Sequence, residues 1–154
     1  MFSNKTCCIT GHRDFPVEKR LHIQDELEKA LRLAIADGYT HFISGFARGI
    51  DLTFARLVAE YKQDIGGITL EAAIPYRNRL NSRDGYFEKY IKHCDKIHIC
   101  TEAYHPSCFH KRNDYMLEKS SRLIAVYDGR QGGGTFSMIK KAEKLKRDVF
   151  LIQI

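Results

Sequence analysis

Short apolar runs alternate along this chain with segments of helical periodicity. Six apolar or β-branched runs predict strands, at residues 5–10, 40–44, 68–74, 96–100, 122–127 and 149–152, with Pro75 closing the third. Between them, apolar residues three or four positions apart predict helices over residues 17–35, 52–63, 83–93, 109–119 and 135–147. The apolar positions of the first helix are Val17, Leu21, Leu27, Leu31, Ala34 and Ile35, and Gly38 ends it.

The regular alternation of strand and helix predicts the fold class. It is typical of an α/β fold with a mostly parallel sheet and helices on both faces. The chain contains no internal repeat, low-complexity segment or linker, and its 154 residues suit a single domain, 1–154.

Four turns rich in small residues, hydroxyls and cations follow predicted strand ends. They are Thr10-Gly11-His12-Arg13, Ser44-Gly45, Tyr76-Arg77 and Gly132-Gly133-Gly134-Thr135. In a parallel sheet the carboxyl ends of the strands share one edge, and ligands bind there at the point where the strand order reverses. We therefore expect Gly11, Gly45, Arg48 and Gly133 to line one pocket at that edge.

The turn at residues 43–51 connects a strand directly to a helix. Gly45 and Gly49 permit positive φ or a close backbone approach, and Arg48 places a cation in the turn. Asp51 falls in the first helical turn, where it could cap the helix or accept hydrogen bonds from a ribose. The alternative is a tight strand-to-helix connection that binds nothing.

The run Gly132-Gly133-Gly134-Thr135 is the best candidate for a phosphate site. Glycines let several backbone N–H groups point into one concavity, and a helix N-terminus favours an anion. The alternative is a flexible loop with a threonine cap. Because no lysine follows the glycines, the run is not that of a P-loop NTPase.

Charged residues near these turns could complete an anion site. The cations are Arg13, Arg48, Arg77 and Arg112, and Asp128 joins Asp51 as an acceptor for ribose hydroxyls. The net charge of +6 and pI of about 9.1 suit an anionic partner. The densest basic cluster, at residues 140–147, is better explained as the solvated face of a helix.

The remaining composition favours a reducing cytoplasm. Five cysteines do not suggest a disulfide framework, and Cys7 and Cys8 are expected on opposite faces of a strand. No apolar run is long enough to span a membrane, and residues 1–6 are too short and polar for a signal peptide.

Histidines and cysteines are frequent between residues 93 and 110. Their spacing lacks the paired ligands of a zinc site, so we expect no bound metal and a structural role for this segment. Nothing in the sequence marks a catalytic cysteine–histidine pair.

Several of these motifs resemble one superfamily. Residues 43–51 resemble the S-G-x-A-x-G-I-D signature of the DNA-processing Smf/DprA proteins. A second set of motifs resembles the small YpsA-like proteins: residues 10–13, Arg112-Asn113 with Tyr115-Met116, and residues 125–129 with residues 133–135. Both groups belong to the SLOG superfamily, together with the Lonely guy nucleotide hydrolases. The resemblance spans about residues 6–152 and implies a Rossmann-like fold with a site for a nucleotide or a nucleotide-derived ligand.

Two departures limit what the resemblance implies. Lonely guy hydrolases carry P-G-G-x-G-T-x-x-E, whose glutamate assists cleavage of the N-glycosidic bond, whereas Phe136-Ser137-Met138-Ile139 follows Thr135 here. The further domains of DprA proteins are not expected either. We therefore expect a sensor or regulator that binds a nucleotide or ADP-ribose-like ligand.

Two alternatives are a nucleotide N-glycosidic hydrolase and a nucleic-acid-binding module, the latter supported by Tyr76, Arg77 and Arg79. The sequence does not identify the ligand or a protein partner. It does not distinguish a monomer from a homo-oligomer.

Overall fold

Six strands form one parallel sheet in a computed structural model that describes residues 3–154. They are β1 (Ser3–Gly11), β2 (His41–Ser44), β3 (Thr69–Tyr76), β4 (Lys96–Thr101), β5 (Ser120–Tyr127) and β6 (Asp148–Gln153). The strand order is β4-β3-β2-β1-β5-β6, and every described pair is parallel. The predicted α/β, Rossmann-like fold is therefore confirmed.

Five α-helices connect the strands. They are α1 (Arg20–Ala36), α2 (Ile50–Asp64), α3 (Gly85–Ile91), α4 (Cys108–Lys119) and α5 (Gly133–Lys144), with short 3-10 turns at Val17–Lys19 and Arg77–Asn81. α1 buries Ile23, Leu27, Ala30, Leu31 and Ala34 along one stripe. Val17 and Leu21 do not continue that stripe as predicted, since they are 66% and 75% exposed. Val17 lies in the 3-10 turn before the helix, whereas Leu21 lies inside α1 two positions before Ile23 and therefore faces the opposite side of the helix.

The helices bury a separate apolar core on each face of the sheet. Residues of α1 and α2 pack with Cys7 and Ile9 of β1, whereas residues of α4 and α5 pack with Cys8. The two adjacent cysteines therefore lie on opposite faces, as predicted. Both are fully buried, and burial raises the pKa of each thiol, to about 12 at Cys8.

The third strand does not end at Pro75 as the sequence predicts, because β3 continues to Tyr76. β2 ends opposite Ala72, so the last residues of β3 pair only with β4. A residue without an N–H group fits the unpaired side of such a strand. The Pro75 carbonyl accepts a hydrogen bond from Thr101 Oγ1 at 2.8 Å.

The strand order reverses between β1 and β5. From β1 the chain moves through β2 and β3 to β4 at one edge, then crosses to β5 on the other side of β1. A crevice therefore opens at the carboxyl ends of β1 and β5. Gly11 ends β1 at this crevice, and a Cβ there would lie 2.5 Å from Ile50 Cγ2 of α2.

We expect Gly11→Ala to lower the free energy of unfolding by about 1–3 kcal/mol, because the added methyl group overpacks against a fully buried branched side chain. Urea denaturation measures the change. The control is Gly66→Ala, where no atom lies within 4 Å of the added Cβ. This control should leave stability unchanged or raise it by up to about 1 kcal/mol. Equal stabilities for the two variants would contradict the contact.

Candidate ligand-binding site

A cleft of about 600 Å³ occupies the crevice between β1 and β5. Nine of the residues predicted for the site line it: Thr10, Gly11, His12, Arg13, Asp51, Arg112, Gly133, Gly134 and Thr135. They come from the end of β1 and from α2, α4 and α5. The turns at residues 44–51 and 132–135 thus lie at the same edge of the sheet, as the sequence predicts.

The glycine turn opens α5 onto this cleft. Gly132 precedes the helix with φ 122°, and Gly133 begins it with φ 86°. No side chain caps the helix, so its first N–H groups have no side-chain acceptor. Thr135 lies inside the helix, which excludes the threonine cap considered from the sequence. The arrangement leaves a helix N-terminus available to an anion.

Arg112 places a fixed cation in the cleft wall. Its side chain belongs to α4, and the residue is only 7% exposed. Nη1 donates to the Gly45 carbonyl at 2.9 Å, and Nε donates to Asn113 Oδ1 at 3.0 Å. Burial lowers the pKa of Arg112, and the nearby Asp51 carboxyl opposes that shift. A guanidinium has five N–H donors, so further donors remain for a ligand.

Asp51 lines the cleft beside Arg112 and is also 7% exposed. Its Oδ2 accepts a hydrogen bond from the Ala47 N–H at 3.3 Å. It does not cap α2, because Gly49 is the N-cap residue and no side chain caps this helix. Burial raises the pKa of the Asp51 carboxyl, whereas Arg112 acts to lower it. The carboxyl therefore stabilises the turn before α2 and presents an acceptor to the cleft.

The two glycines of this turn, Gly45 and Gly49, are required for different reasons. A Cβ at Gly45 would lie 2.7 Å from Arg112 Nη1 and 2.9 Å from Asp51 Oδ2, so close packing requires glycine. Gly49 has φ 93° and approaches the Arg13 carbonyl, where a Cβ would lie 3.1 Å away. Neither glycine lines the cleft, and both shape the turn that carries Asp51.

Three other predicted residues lie apart from the cleft. Ser44 is fully buried, and its hydroxyl donates to the Asp51 carbonyl and accepts from the Phe46 N–H. Arg48 is exposed and lines a neighbouring cavity. Arg77 pairs with Glu102, Nε to Oε2 at 2.9 Å, outside both cavities. Since β2 and β3 lie beyond β1, their carboxyl ends are farther from the crevice.

His12 is held in its neutral form at the cleft wall. Its Nε2 lies 3.1 Å from Asp128 Oδ1, within the range of an ion pair, but it also accepts the Asp128 N–H at 3.2 Å. The ring nitrogen can make only one of these two hydrogen bonds at a time, as donor to the carboxylate or as acceptor from the N–H. Burial, the largest influence, lowers the pKa of His12, in agreement with the neutral form.

Arg130 is a cleft residue that the sequence analysis did not select. Its guanidinium bonds Asp128 through Nη2 at 2.6 Å and Nε at 3.0 Å, and Nη1 lies 3.4 Å from Asp14 Oδ1. These bonds lower the pKa of Asp128 to about 2. They also occupy the Asp128 oxygens proposed for ribose. Arg130 lies in the same loop as the glycine turn, and this position was the sequence feature that could have indicated a residue of the cleft.

Several further cleft residues come from α4 and the loop before it: Pro106, Phe109, His110, Asn113 and Met116. Three of them, Pro106, Phe109 and His110, fall in the segment rich in histidine and cysteine. Among residues 3–154, no group of three or more His, Cys, Asp or Glu side chains could hold a metal ion. A metal-free role for this segment stays an expectation. In the same described range, no helix is long and apolar enough to cross a membrane.

The fold and the cleft define a SLOG-type Rossmann-like protein, and comparison with known proteins identifies the family. Residues 7–154 match the YspA SLOG family, so the chain belongs to it. A UPF0398 protein of Bacillus pumilus is 26% identical over 152 residues, covering 90% of this chain and 82% of the relative. A UPF0398 protein of Bacillus cereus strain B4264 is 25% identical and covers 91% and 83%.

Two solved structures share the fold. DNA processing protein A from Helicobacter pylori superposes with a TM-score of 0.67 at 17% identity, covering 95% of this chain and 64% of that chain. The protein TM1055 superposes with a TM-score of 0.58 at 19% identity, covering 94% and 72%. At such identities the likeness concerns the fold alone. The predicted resemblance to the YpsA-like proteins is confirmed by the family match, and the resemblance to the DprA proteins is confirmed at the level of the fold.

We expect Arg130→Gln to raise the pKa of Asp128 from about 2 toward the ordinary value of about 3.9, because Arg130 is its main hydrogen-bond donor. An NMR titration of the carboxyl carbon measures it. A lowered carboxyl pKa stabilises the fold above the unfolded-state pKa, and this contribution disappears as pH falls toward 2. Arg77→Gln, which removes the partner of Glu102, is the control. An ordinary Asp128 pKa in the wild type would contradict the contact.

Proposed function

We propose that this protein binds a nucleotide or an ADP-ribose-like molecule in the cleft and acts as a sensor or regulator. One observation carries the proposal. The uncapped N-terminus of α5 and the buried guanidinium of Arg112 open onto the same cleft of about 600 Å³. That volume lies within the range typical of small-molecule sites.

The phosphate of the ligand would bind at the glycine turn. The backbone N–H groups of Gly133, Gly134 and Thr135 are the donors, and the helix dipole adds a favourable potential. Arg112 would supply a charge-assisted hydrogen bond from the cleft wall, and Arg13 adds positive charge at the rim. The Asp51 carboxyl would accept hydrogen bonds from ribose hydroxyls.

A sensor fits the site better than a hydrolase does. Residues 136–139, which directly follow Thr135, are apolar or neutral, and Met138 and Ile139 are buried in the core beneath α5. This helix therefore offers no carboxylate where the related hydrolases carry one. Asp51 is the observation that favours a hydrolase as the second candidate, because it is a buried carboxyl in the cleft whose pKa is raised.

Nucleic-acid binding has less support. The related Helicobacter pylori structure concerns the binding of single-stranded DNA by that protein. In this chain Arg77 is paired with Glu102, which leaves Tyr76 and Arg79 of the three residues suggested by the sequence. A regulator would also require a protein partner or a second copy of the chain, and the cleft does not identify one.

We expect Gly133→Asp to abolish nucleotide binding, because Asp is strained at φ 86° and its charge repels phosphate. A thermal-shift panel with AMP and ADP-ribose tests this. A ligand at about 100 times its Kd should stabilise the wild type by about 2.7 kcal/mol. Gly66→Asp makes the same change at an exposed position outside the cleft, and this variant should keep the ligand-induced shift in melting temperature.

A finer test uses Thr135, whose hydroxyl would bond the phosphate. Thr135→Ala should weaken binding by about 1.5–3 kcal/mol, roughly ten- to a hundred-fold, whereas Thr135→Ser keeps the hydroxyl and should bind more tightly than the alanine variant. Binding by a folded Gly133→Asp variant at wild-type affinity would place the phosphate elsewhere.

We expect no hydrolysis of the N-glycosidic bond of AMP, because the glutamate of the Lonely guy hydrolases has no counterpart after Thr135. Chromatographic detection of free adenine and ribose 5-phosphate is the measurement. Release that is lost in Asp51→Asn would instead assign catalysis to that carboxyl, and the regulatory proposal would be wrong.

A further inference from the structure

A second cavity of about 320 Å³ adjoins the ligand cleft. It is lined by Arg13, Arg48, Tyr76, Arg79, Asp84 and Phe109. Arg13 and Phe109 also line the cleft, so these two side chains form the wall shared by both spaces. We call the second space the side compartment.

Two arginines, Arg13 and Arg48, give the side compartment positive charge that no described hydrogen bond or ion pair compensates. Among residues 3–154, neither the Arg13 nor the Arg48 guanidinium forms a hydrogen bond or ion pair, although Arg13 stands 5.8 Å from the Phe109 ring centroid. Most other arginines of the described chain bond a carboxylate or a carbonyl. Arg79 illustrates the difference, since its Nη2 donates to the Phe46 carbonyl at 3.1 Å and its guanidinium lies over Phe87.

Aromatic rings form the other part of the wall. The Tyr76 and Phe109 centroids lie 6.4 Å apart, and exposed Tyr104 completes the cluster at 5.3 Å from Tyr76. Arginines beside aromatic faces are the combination that binds a phosphate together with a base, because the cation takes the phosphate and the ring stacks on the base.

We propose that the side compartment binds the second half of a ligand with two ribose-phosphate units, at least one of them a nucleotide, joined through phosphate, whose first phosphate lies at the glycine turn. This inference rests on the proposed nucleotide site. Arg13 and Arg48 would bind the second phosphate, and Tyr76 and Phe109 would contact the second base or sugar. The Asp84 carboxylate, which caps α3 and also lines the compartment, disfavours a third phosphate.

Isothermal titration calorimetry with three probes tests the proposal. The probes are AMP, ADP-ribose and 5′-phosphorylated diadenylate, which differ in the presence of a second unit and in the linkage between the units. A two-unit probe should bind at least about tenfold more tightly than AMP, because one further charged hydrogen bond contributes about that factor. Comparing ADP-ribose with the diadenylate shows whether the linkage is a pyrophosphate or a phosphodiester.

Arg48→Gln is the decisive variant, because Arg48 lines only the side compartment of the two spaces and is exposed. It should weaken the preferred two-unit probe about tenfold or more and leave AMP affinity unchanged. Arg77→Gln is the matched control, since Arg77 is a neighbouring exposed arginine outside both spaces. Its affinities should equal those of the wild type.

The failures of the two proposals are distinguishable. If AMP binds and neither two-unit probe binds more tightly, or if Arg48→Gln binds them as the wild type does, the side compartment is not a subsite and the nucleotide site stands. If a single-stranded nucleic acid of twelve nucleotides binds more than tenfold tighter than diadenylate, the ligand is not limited to two units and this proposal is wrong. If none of the probes binds the wild type, the proposed function itself is wrong.

Discussion

The hydrogen bond from Arg112 to the Gly45 carbonyl joins the two faces of the sheet at the site. Arg112 belongs to α4 on one face, whereas Gly45 leads into α2 on the other. A buried guanidinium is costly unless nearby groups compensate its charge, and here the carbonyl and the Asp51 carboxyl do so. Because a Cβ at residue 45 would meet both side chains, the contact depends on glycine.

A second polar cluster holds α4 in the position that this contact requires. The buried Glu71 carboxylate of β3 accepts hydrogen bonds from Tyr115 of α4 and, at 2.7 Å, from His41 Nε2 of β2. Burial alone would raise the pKa of Glu71, but the two hydrogen bonds lower it overall. His98 stacks on Tyr115 with centroids 3.7 Å apart. Anchored there, α4 presents Phe109 and Arg112 to the cleft.

The sequence predicts the strands, the helices and the shared edge, because those depend on local periodicity and on a general property of parallel sheets. It does not predict which turns reach the crevice, because that depends on strand order. Ser44 and Arg77 lie at strand ends as Thr10 does, yet β2 and β3 lie beyond β1. Arg130 and Phe109 were missed because side-chain direction within a loop or across a helix has no periodic signal.

The position of the glycine turn separates this cleft from that of a dinucleotide-binding Rossmann fold. In that fold the helix after the first strand begins at the crevice and binds the pyrophosphate. Here β1 ends at Gly11, and α1 begins only at Arg20 after a 3-10 turn. The helix that begins close to its strand at the crevice is α5, which starts at Gly133 after β5 ends at Tyr127. A phosphate would therefore lie on the β5 wall, opposite its usual position, which explains why likeness of fold alone does not locate the ligand.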